Sequence, residues 1–311
     1  MQILCFGELL CDMTGMPNRT FQMNAGGAPA NCAVAAKKAG ANSVSLCAKV
    51  GRDLFGEYLL GEVEKEGVST QSVLVDENVH TTLAFVRLTE GERQFSFYRL
   101  ADAEITEDDV ARLSFPRGGI FHFGSLSLTQ EPIFSATKKA ISQAKAAGNL
   151  ISFDVNYRDS LWSSAALAKE RICQILPLCD IVKISEEEGE FLTGKSDYFA
   201  MAQAMQAMGA KTVVLSLGSM GSRLYGSVVA EANAFPATAV DTTGAGDCFY
   251  GTLLAQIAAR GGMDDLTEEE AQTMLRVANA AGALAVEGYG AIPSYPNKEQ
   301  IYLKADAGTQ K

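Results

Sequence analysis

Short β-rich runs alternate with longer helical ones along most of this 311-residue chain, and that alternation constrains the fold more than any other property. Ile3–Leu10 reads as a strand, Ala28–Ala39 as an Ala-rich helix ending at Gly40, Ser43–Val50 as a strand, and Glu57–Glu66 as a helix ending at Gly67. Further strands are predicted at Ile120–Phe123, Leu150–Val155, Ile181–Ile184 and Thr212–Leu217. Helices fall near 131–147, 163–176 and 197–208, and two more, 247–260 and 268–287, follow one another. Strands joined by helices of this length pair in parallel and are covered on both faces, so an α/β, doubly wound, mainly parallel sheet is expected.

One region breaks the rhythm. Residues 82–99 alternate like a hairpin, with a turn at Glu90-Gly91, and residues 12–24 are similarly non-helical. Together they predict a small antiparallel β lid, formed by about 12–24 and 82–100, over the strand ends. No repeat, low-complexity segment or Pro/Gly/Ser-rich linker interrupts the chain, and 47% hydrophobic residues suffice for one large core. One domain over 1–311 is the simplest organisation.

A net charge of −11 and a pI of about 4.8 argue against nucleic acid or an anionic membrane as partner. They do not exclude nucleotides, which need only a local anion site or a bound cation. No apolar stretch is long enough to span a bilayer, and Ile3–Leu10 reads as a strand rather than a signal peptide. The seven cysteines form no CxxC pair, and with two histidines, His80 and His122, a zinc cluster is not expected. Free buried thiols in a reducing cytoplasm are the expectation.

The segment Asp241-Thr242-Thr243-Gly244-Ala245-Gly246-Asp247 leads directly into the apolar-periodic run Phe249, Leu253, Leu254, Ile257. A glycine turn opening a helix exposes free N–H groups at the positive end of the helix dipole, which makes an anion site. Asp247 stands in the first turn of that helix. A carboxylate beside an anion hole suits deprotonation of a hydroxyl that then attacks phosphorus.

A second glycine turn, Gly26-Gly27-Ala28-Pro29-Ala30-Asn31, opens the first helix. Gly27 there is either a tight turn or a point of close ligand approach, and Asn31 either merely polar or a partner of a polyhydroxyl ligand. Asp12, just past the first strand, is a solvated loop residue or an acceptor for sugar hydroxyls. In Asp154-Val155-Asn156-Tyr157-Arg158, Asn156 and Arg158 face the presumed crevice, and Arg158 meets a phosphate or a surface carboxylate. Among Glu186, Glu187 and Glu188 the choice is a solvated helix face or one glutamate holding magnesium through water. Leu217-Gly218-Ser219-Met220-Gly221 is a turn that either serves only the strand end or lies against a nucleotide.

Gly189-Glu190-Phe191-Leu192-Thr193-Gly194-Lys195-Ser196 matches the P-loop pattern GxxxxGK[ST] letter for letter. Its interior is too bulky and too acidic to cradle a triphosphate. A short helix, Glu186–Leu192, ending at Gly194, with Ser196 capping the next helix, is expected instead.

The two glycine signatures, in this order and separation, resemble the ribokinase-like (PfkB) family of carbohydrate kinases over essentially the whole chain, fructokinases within it most closely. The resemblance implies ATP-dependent phosphorylation of a sugar's primary hydroxyl. It places Asp247 on the catalytic base, with Gly244, Ala245 and Gly246 on the anion hole. Asp12, Gly27 and Asn31 fall on sugar-binding positions. Asp241, Thr243, Ala285, Gly288, Gly290 and Ser294 fall on loops that bind a monovalent cation such as K+ in many relatives. Ser216, Gly218 and Gly221 match a nucleotide-side turn, and Asn279 lies near the adenine.

The family's Asn-x-x-Glu motif stands here as Ser185-Glu186-Glu187-Glu188, so Glu188 (Mg2+ through water) matches while Ser185 replaces Asn. Phe97-Tyr98-Arg99 and Asp154–Arg158 are similar to fructokinases, adding Phe97, Arg99 and Asn156 to the sugar side. The Asp-x-Asn-x-Arg stretch also occurs in 2-keto-3-deoxygluconate kinases. The expectation is therefore a fructose kinase using ATP and Mg2+, with a lid whose apolar face permits pairing with a second copy. A 2-keto-3-deoxygluconate kinase, a ribokinase, a nucleoside or aminoimidazole riboside kinase, and a non-catalytic sugar sensor are the alternatives.

Overall fold

The computed structural model describes residues 1–89 and 92–307, so the turn expected at Glu90-Gly91 lies outside the described residues. Its main sheet has eight strands in the order β14-β13-β12-β11-β10-β9-β1-β4. These are β1 (Ile3–Phe6), β4 (Val44–Cys47), β9 (Ile120–Gly124), β10 (Leu150–Asp154), β11 (Ile181–Ser185), β12 (Thr212–Ser216), β13 (Ser222–Tyr225) and β14 (Val229–Ala232). From β4 through β12 every pairing is parallel, and β13 and β14 complete the edge antiparallel. The parallel strands are buried along nearly their whole length, as continuous apolar runs covered on both faces must be.

A second sheet, in the order β3-β2-β7-β8, holds β2 (Leu10–Met16), β3 (Thr20–Gly26), β7 (Leu83–Thr89) and β8 (Glu92–Tyr98). It joins the two segments that break the α/β rhythm, and β2 runs antiparallel to β3 but parallel to β7. A two-stranded parallel sheet pairs β5 (Lys49–Gly51) with β6 (Leu74–Asp76).

Two expected strands are each divided. Ile3–Leu10 breaks after Phe6, where Gly7 takes φ +142°, and Leu10 begins β2 of the second sheet. Ser43–Val50 divides into β4, which pairs with β1, and β5, which pairs with β6. The residues around each break are buried and mostly apolar, with the charged Glu8 at the first and Lys49 at the second, and that pattern does not announce a change of sheet.

The helices are α1 (Ala28–Lys38), α2 (Leu54–Lys65), α3 (Glu107–Ala111), α4 (Ile133–Ala146), α5 (Ala165–Ile175), α6 (Glu186–Thr193), α7 (Tyr198–Ala207), α8 (Ala245–Arg260), α9 (Glu268–Ala285) and α10 (Lys298–Ala307). On one face of the main sheet α1, α8 and α9 pack with side chains such as Cys5, Ile120 and Val214. On the other, α4, α5 and α7 pack with Phe6, Phe121, Phe123 and Phe153. Side-chain caps start several helices: Asp53 for α2, Ser164 for α5, Ser185 for α6, Asp197 for α7 and Thr267 for α9. Asp197, not Ser196, therefore caps the helix that follows Gly194.

All seven cysteines are free, and all but Cys173 are buried. No helix among the described residues is long and apolar enough to cross a membrane.

Candidate active site

The loops after the parallel strands gather at one edge of the sheet, where open α/β sheets hold ligands. Helices α1 and α8 start at that edge, and the two glycine signatures meet there. Asn31 Nδ2 donates to Asp247 Oδ2 at 2.9 Å, across 216 residues of sequence. The helices reach each other because Gly251, one turn beyond Asp247 in α8, has no side chain; a Cβ there would lie 2.4 Å from the Cys32 carbonyl oxygen.

Gly244 is the N-cap of α8 in the left-handed conformation (φ +73°, ψ 1°), with no side chain capping the helix. Its first N–H groups, at Ala245 and Gly246, thus precede Asp247 at the positive end of a 16-residue helix. Asp247 is half-buried. Its carboxyl is pushed up to about 6, first by desolvation and then by the Asp154 carboxylate, while the Asn31 bond, Lys183 and Arg158 oppose the rise. Arg158 is exposed and touches its neighbour's carbonyl at 3.3 Å.

The two loops matched to a cation are brought together. Asp241 Oδ1 accepts from the N–H and hydroxyl of Thr243, and Oδ2 accepts from the Gly290 N–H at 3.0 Å. Val240 and Asp241 N–H groups both donate to the Val286 carbonyl, next to Ala285 at the end of α9. Gly288 faces Ser294, whose hydroxyl donates to the Ala291 carbonyl at 2.9 Å. Tyr295, missed in the sequence, donates its hydroxyl to the Gly244 carbonyl at 2.9 Å and ties these loops to the start of α8. These residues offer carboxylate, hydroxyl and carbonyl oxygens, the donor chemistry a hard cation requires.

Ser185 and Ser216 are in register on β11 and β12. Ser185 and Glu188 form a capping box, and Glu188 Oε1 also accepts from the Tyr157 N–H, so burial and backbone bonds occupy this carboxylate. Gly218 and Gly221 both take positive φ, and Gly221 lies against the Ala232 carbonyl. Asn279 on α9 donates to the carbonyls of Ala232 and Asn233 at 2.9 and 3.1 Å, placing it beside that turn. The P-loop lookalike is the second half of α6 and its left-handed cap, Gly194 (φ +68°), with no phosphate cradle.

On the other side, the Asp12 carboxylate lies against Gly26, where a Cβ would be 2.2 Å from Oδ2. Gly27 is the N-cap of α1 (φ +108°), and Asn156 takes φ +35° after β10. Phe97 is half-buried on β8. Arg99 turns away from solvent: it pairs with the buried Asp102 and donates to the Leu126 carbonyl and the Thr129 hydroxyl. Sugar contact by Arg99 would have to compete with those bonds, and its placement fits an anchor between the second sheet and the loop after β9.

Two further residues escaped the sequence reading. Glu8, between β1 and β2, accepts from the Ala28 N–H at 3.0 Å and is pushed up to about 8 by burial. Lys183 is buried in β11 and paired with Asp154 at 2.9 and 3.0 Å. A lysine inside the apolar run Ile181–Ile184 was the available signal, since a buried ammonium needs a partner.

The chain belongs to the pfkB family of carbohydrate kinases, whose model matches residues 2–298. It is therefore an ATP-dependent carbohydrate kinase by class, and its doubly wound sheet with a smaller, mainly antiparallel sheet is that of its solved neighbours. It is 39% identical to a probable fructokinase-2 of Arabidopsis thaliana over 94% of this chain and 92% of the relative. A fructokinase from Xylella fastidiosa with bound ATP matches with a TM-score of 0.89 and 33% identity, covering 99% of both chains. A fructokinase double mutant from Vibrio cholerae O395, bound to fructose, ADP and potassium ion, matches with a TM-score of 0.89 and 30% identity over 98% of both chains.

Proposed function

We propose that this chain transfers the terminal phosphoryl group of ATP to a primary hydroxyl of fructose, giving fructose 6-phosphate. The observation that carries the reading is the Asn31–Asp247 bond, which puts a carboxylate between a polyhydroxyl-binding turn and the N-terminal turn of α8. The naming of relatives as fructokinases supports the sugar.

Asp247 accepts the proton as the sugar oxygen forms its bond to phosphorus and the bond to the bridging oxygen of ADP breaks. The N–H groups of residues 244–247 face the charge on the transferred group. Arg158 neutralises phosphate charge at the exposed rim. Asp12, Gly27, Asn31, Asn156 and Phe97 line the sugar side, while Ser185, Ser216, Gly218, Gly221 and Asn279 line the nucleotide side.

Magnesium, when bound, would supply positive charge between the nucleotide phosphates, and Glu188, whose oxygens accept from the Tyr157 and Ser185 N–H groups, would reach it only through water. Potassium fits between the loops of Asp241, Thr243, Ala285, Gly288, Gly290 and Ser294, where it would strengthen the positive end of α8. The second sheet acts as a lid that excludes water, and its exposed Phe21 and Tyr98 suit pairing with a second copy. Seven unpaired cysteines suit a reducing cytoplasm.

Coupled ADP release across fructose, ribose, 2-keto-3-deoxygluconate and nucleosides tests the substrate. Fructose gives the highest kcat/KM, and a nucleoside or ketodeoxygluconate preference would reassign the sugar side. Because Asp247 acts ionised and is pushed up to about 6, turnover falls as pH drops through about 6, with sugar binding little changed. A kcat flat down to pH 5 contradicts a base with that environment. Replacing potassium by a tetraalkylammonium ion slows turnover several-fold; an unchanged rate removes the cation from this chain's mechanism.

A further inference from the structure

Asp154, the last residue of β10, stands in register with Lys183 at the middle of β11. Their side chains are only 3% and 7% exposed, and the ammonium meets both carboxylate oxygens. Replacing such a pair by uncharged residues is often neutral or stabilising, so stability alone does not account for two charges in the middle of an apolar sheet. Their position does. A Cβ built on Gly246 would lie 3.3 Å from Lys183 Nζ, so the ammonium sits directly against the first turn of α8. That turn presents its N–H groups and Asp247 to the site.

The geometry points to Lys183, held by Asp154, as a positioning residue of phosphoryl transfer: a fixed buried cation under the turn that carries Asp247 and the anion hole. Lys183 aligns its charge with the developing negative charge without touching sugar or nucleotide. Asp154 keeps the ammonium charged and stops it from swinging into the cleft. Burial alone would discharge the lysine, but Asp154, Glu188 and Asp247 together hold its pKa above the ordinary lysine range.

Asp247 is faced by Asn31 from α1, Asp154 from β10, Arg158 from the loop after β10, Lys183 from β11, its neighbour Cys248 on α8 and Tyr295 before α10. Among them Asp154 disfavours its ionised form while Lys183 and Arg158 favour it. Desolvation is the largest cause of the rise at Asp247, and the pair adjusts it with opposite signs while fixing the field across the anion hole.

The inference rests on Asp247 as the base, and the two are tested apart. Asp154→Asn keeps the shape and an acceptor for the ammonium; it moves the acidic limb of kcat to lower pH by about one unit, because a negative charge beside Asp247 is gone. Asp154→Asn/Lys183→Met removes both charges. It melts at or above the wild-type temperature, yet loses about tenfold or more in kcat while KM for the sugar stays within about twofold. A pair that only holds the sheet together would leave kcat and the pH profile of both variants at wild-type values, and that result overturns the inference. Should the double variant fail to fold, the limb of Asp154→Asn decides alone. Loss of the base assignment would show differently, as full turnover in Asp247→Asn.

Discussion

Asp247→Asn lowers kcat by roughly 10²–10⁴, the usual scale for loss of a general base. Sugar affinity stays close to wild type, since an asparagine at 247 still offers an oxygen to the Asn31 amide that donates to it at 2.9 Å. The fold is also retained, because the change leaves the first turn of α8 and its packing on α1 in place. Coupled ADP release measures turnover, and calorimetric titration measures the sugar. Near-full turnover would place the base elsewhere. A parallel loss of sugar binding would recast Asp247 as a substrate ligand.

Gly244→Ala produces the second large effect, and it acts through geometry. Gly244 occupies a left-handed conformation, and an added Cβ would lie 2.4 Å from the Tyr295 hydroxyl and 2.5 Å from Ala291 Cβ. The same hydroxyl donates to the Gly244 carbonyl, so the collision breaks the tie between the 291–295 segment and the start of α8. The N–H groups of the first turn are then displaced from where negative charge develops. Turnover falls by about 10²-fold, as for loss of one oxyanion donor, and stability by about 1–3 kcal/mol from strain. Gly261→Ala is the control. Gly261 also has positive φ, at the far end of α8, but open space surrounds it. It shares the backbone strain and spares the site, so its kcat stays at wild type while its melting temperature falls. Equal losses of turnover in both variants would attribute the Gly244 effect to general destabilisation.

The parallel strands and long helices were legible because each carries its own period: buried runs of four or five residues for β9 to β12, and amphipathic stretches for α4 and α9. The edge strands β13 and β14 were not, being four residues each and partly exposed. Helix α6 shows why a pattern of letters is weaker than its physics. The acidic, bulky interior of residues 189–196 excluded a phosphate cradle, and the chain forms a helix there. Arg99 carries a motif that suggested the sugar side, and in the fold its donors meet Asp102, Leu126 and Thr129. Nothing within a few residues of Arg99 announces Leu126 or Thr129.

The sequence by itself determined the α/β class, the two glycine turns and the carboxylate at the start of α8. These are local properties, set by periodicity, glycine placement and helix-start chemistry within about ten residues. Only the tertiary structure decided which of the polar residues meet. It joined Asn31 to Asp247, Asp241 to Gly290 and Tyr295 to Gly244, and placed the Lys183 ammonium beneath Gly246. Those contacts span tens to hundreds of residues and depend on sheet register and on the closeness of α1 to α8. No local pattern encodes them, because they follow from burying apolar surface across the whole sheet.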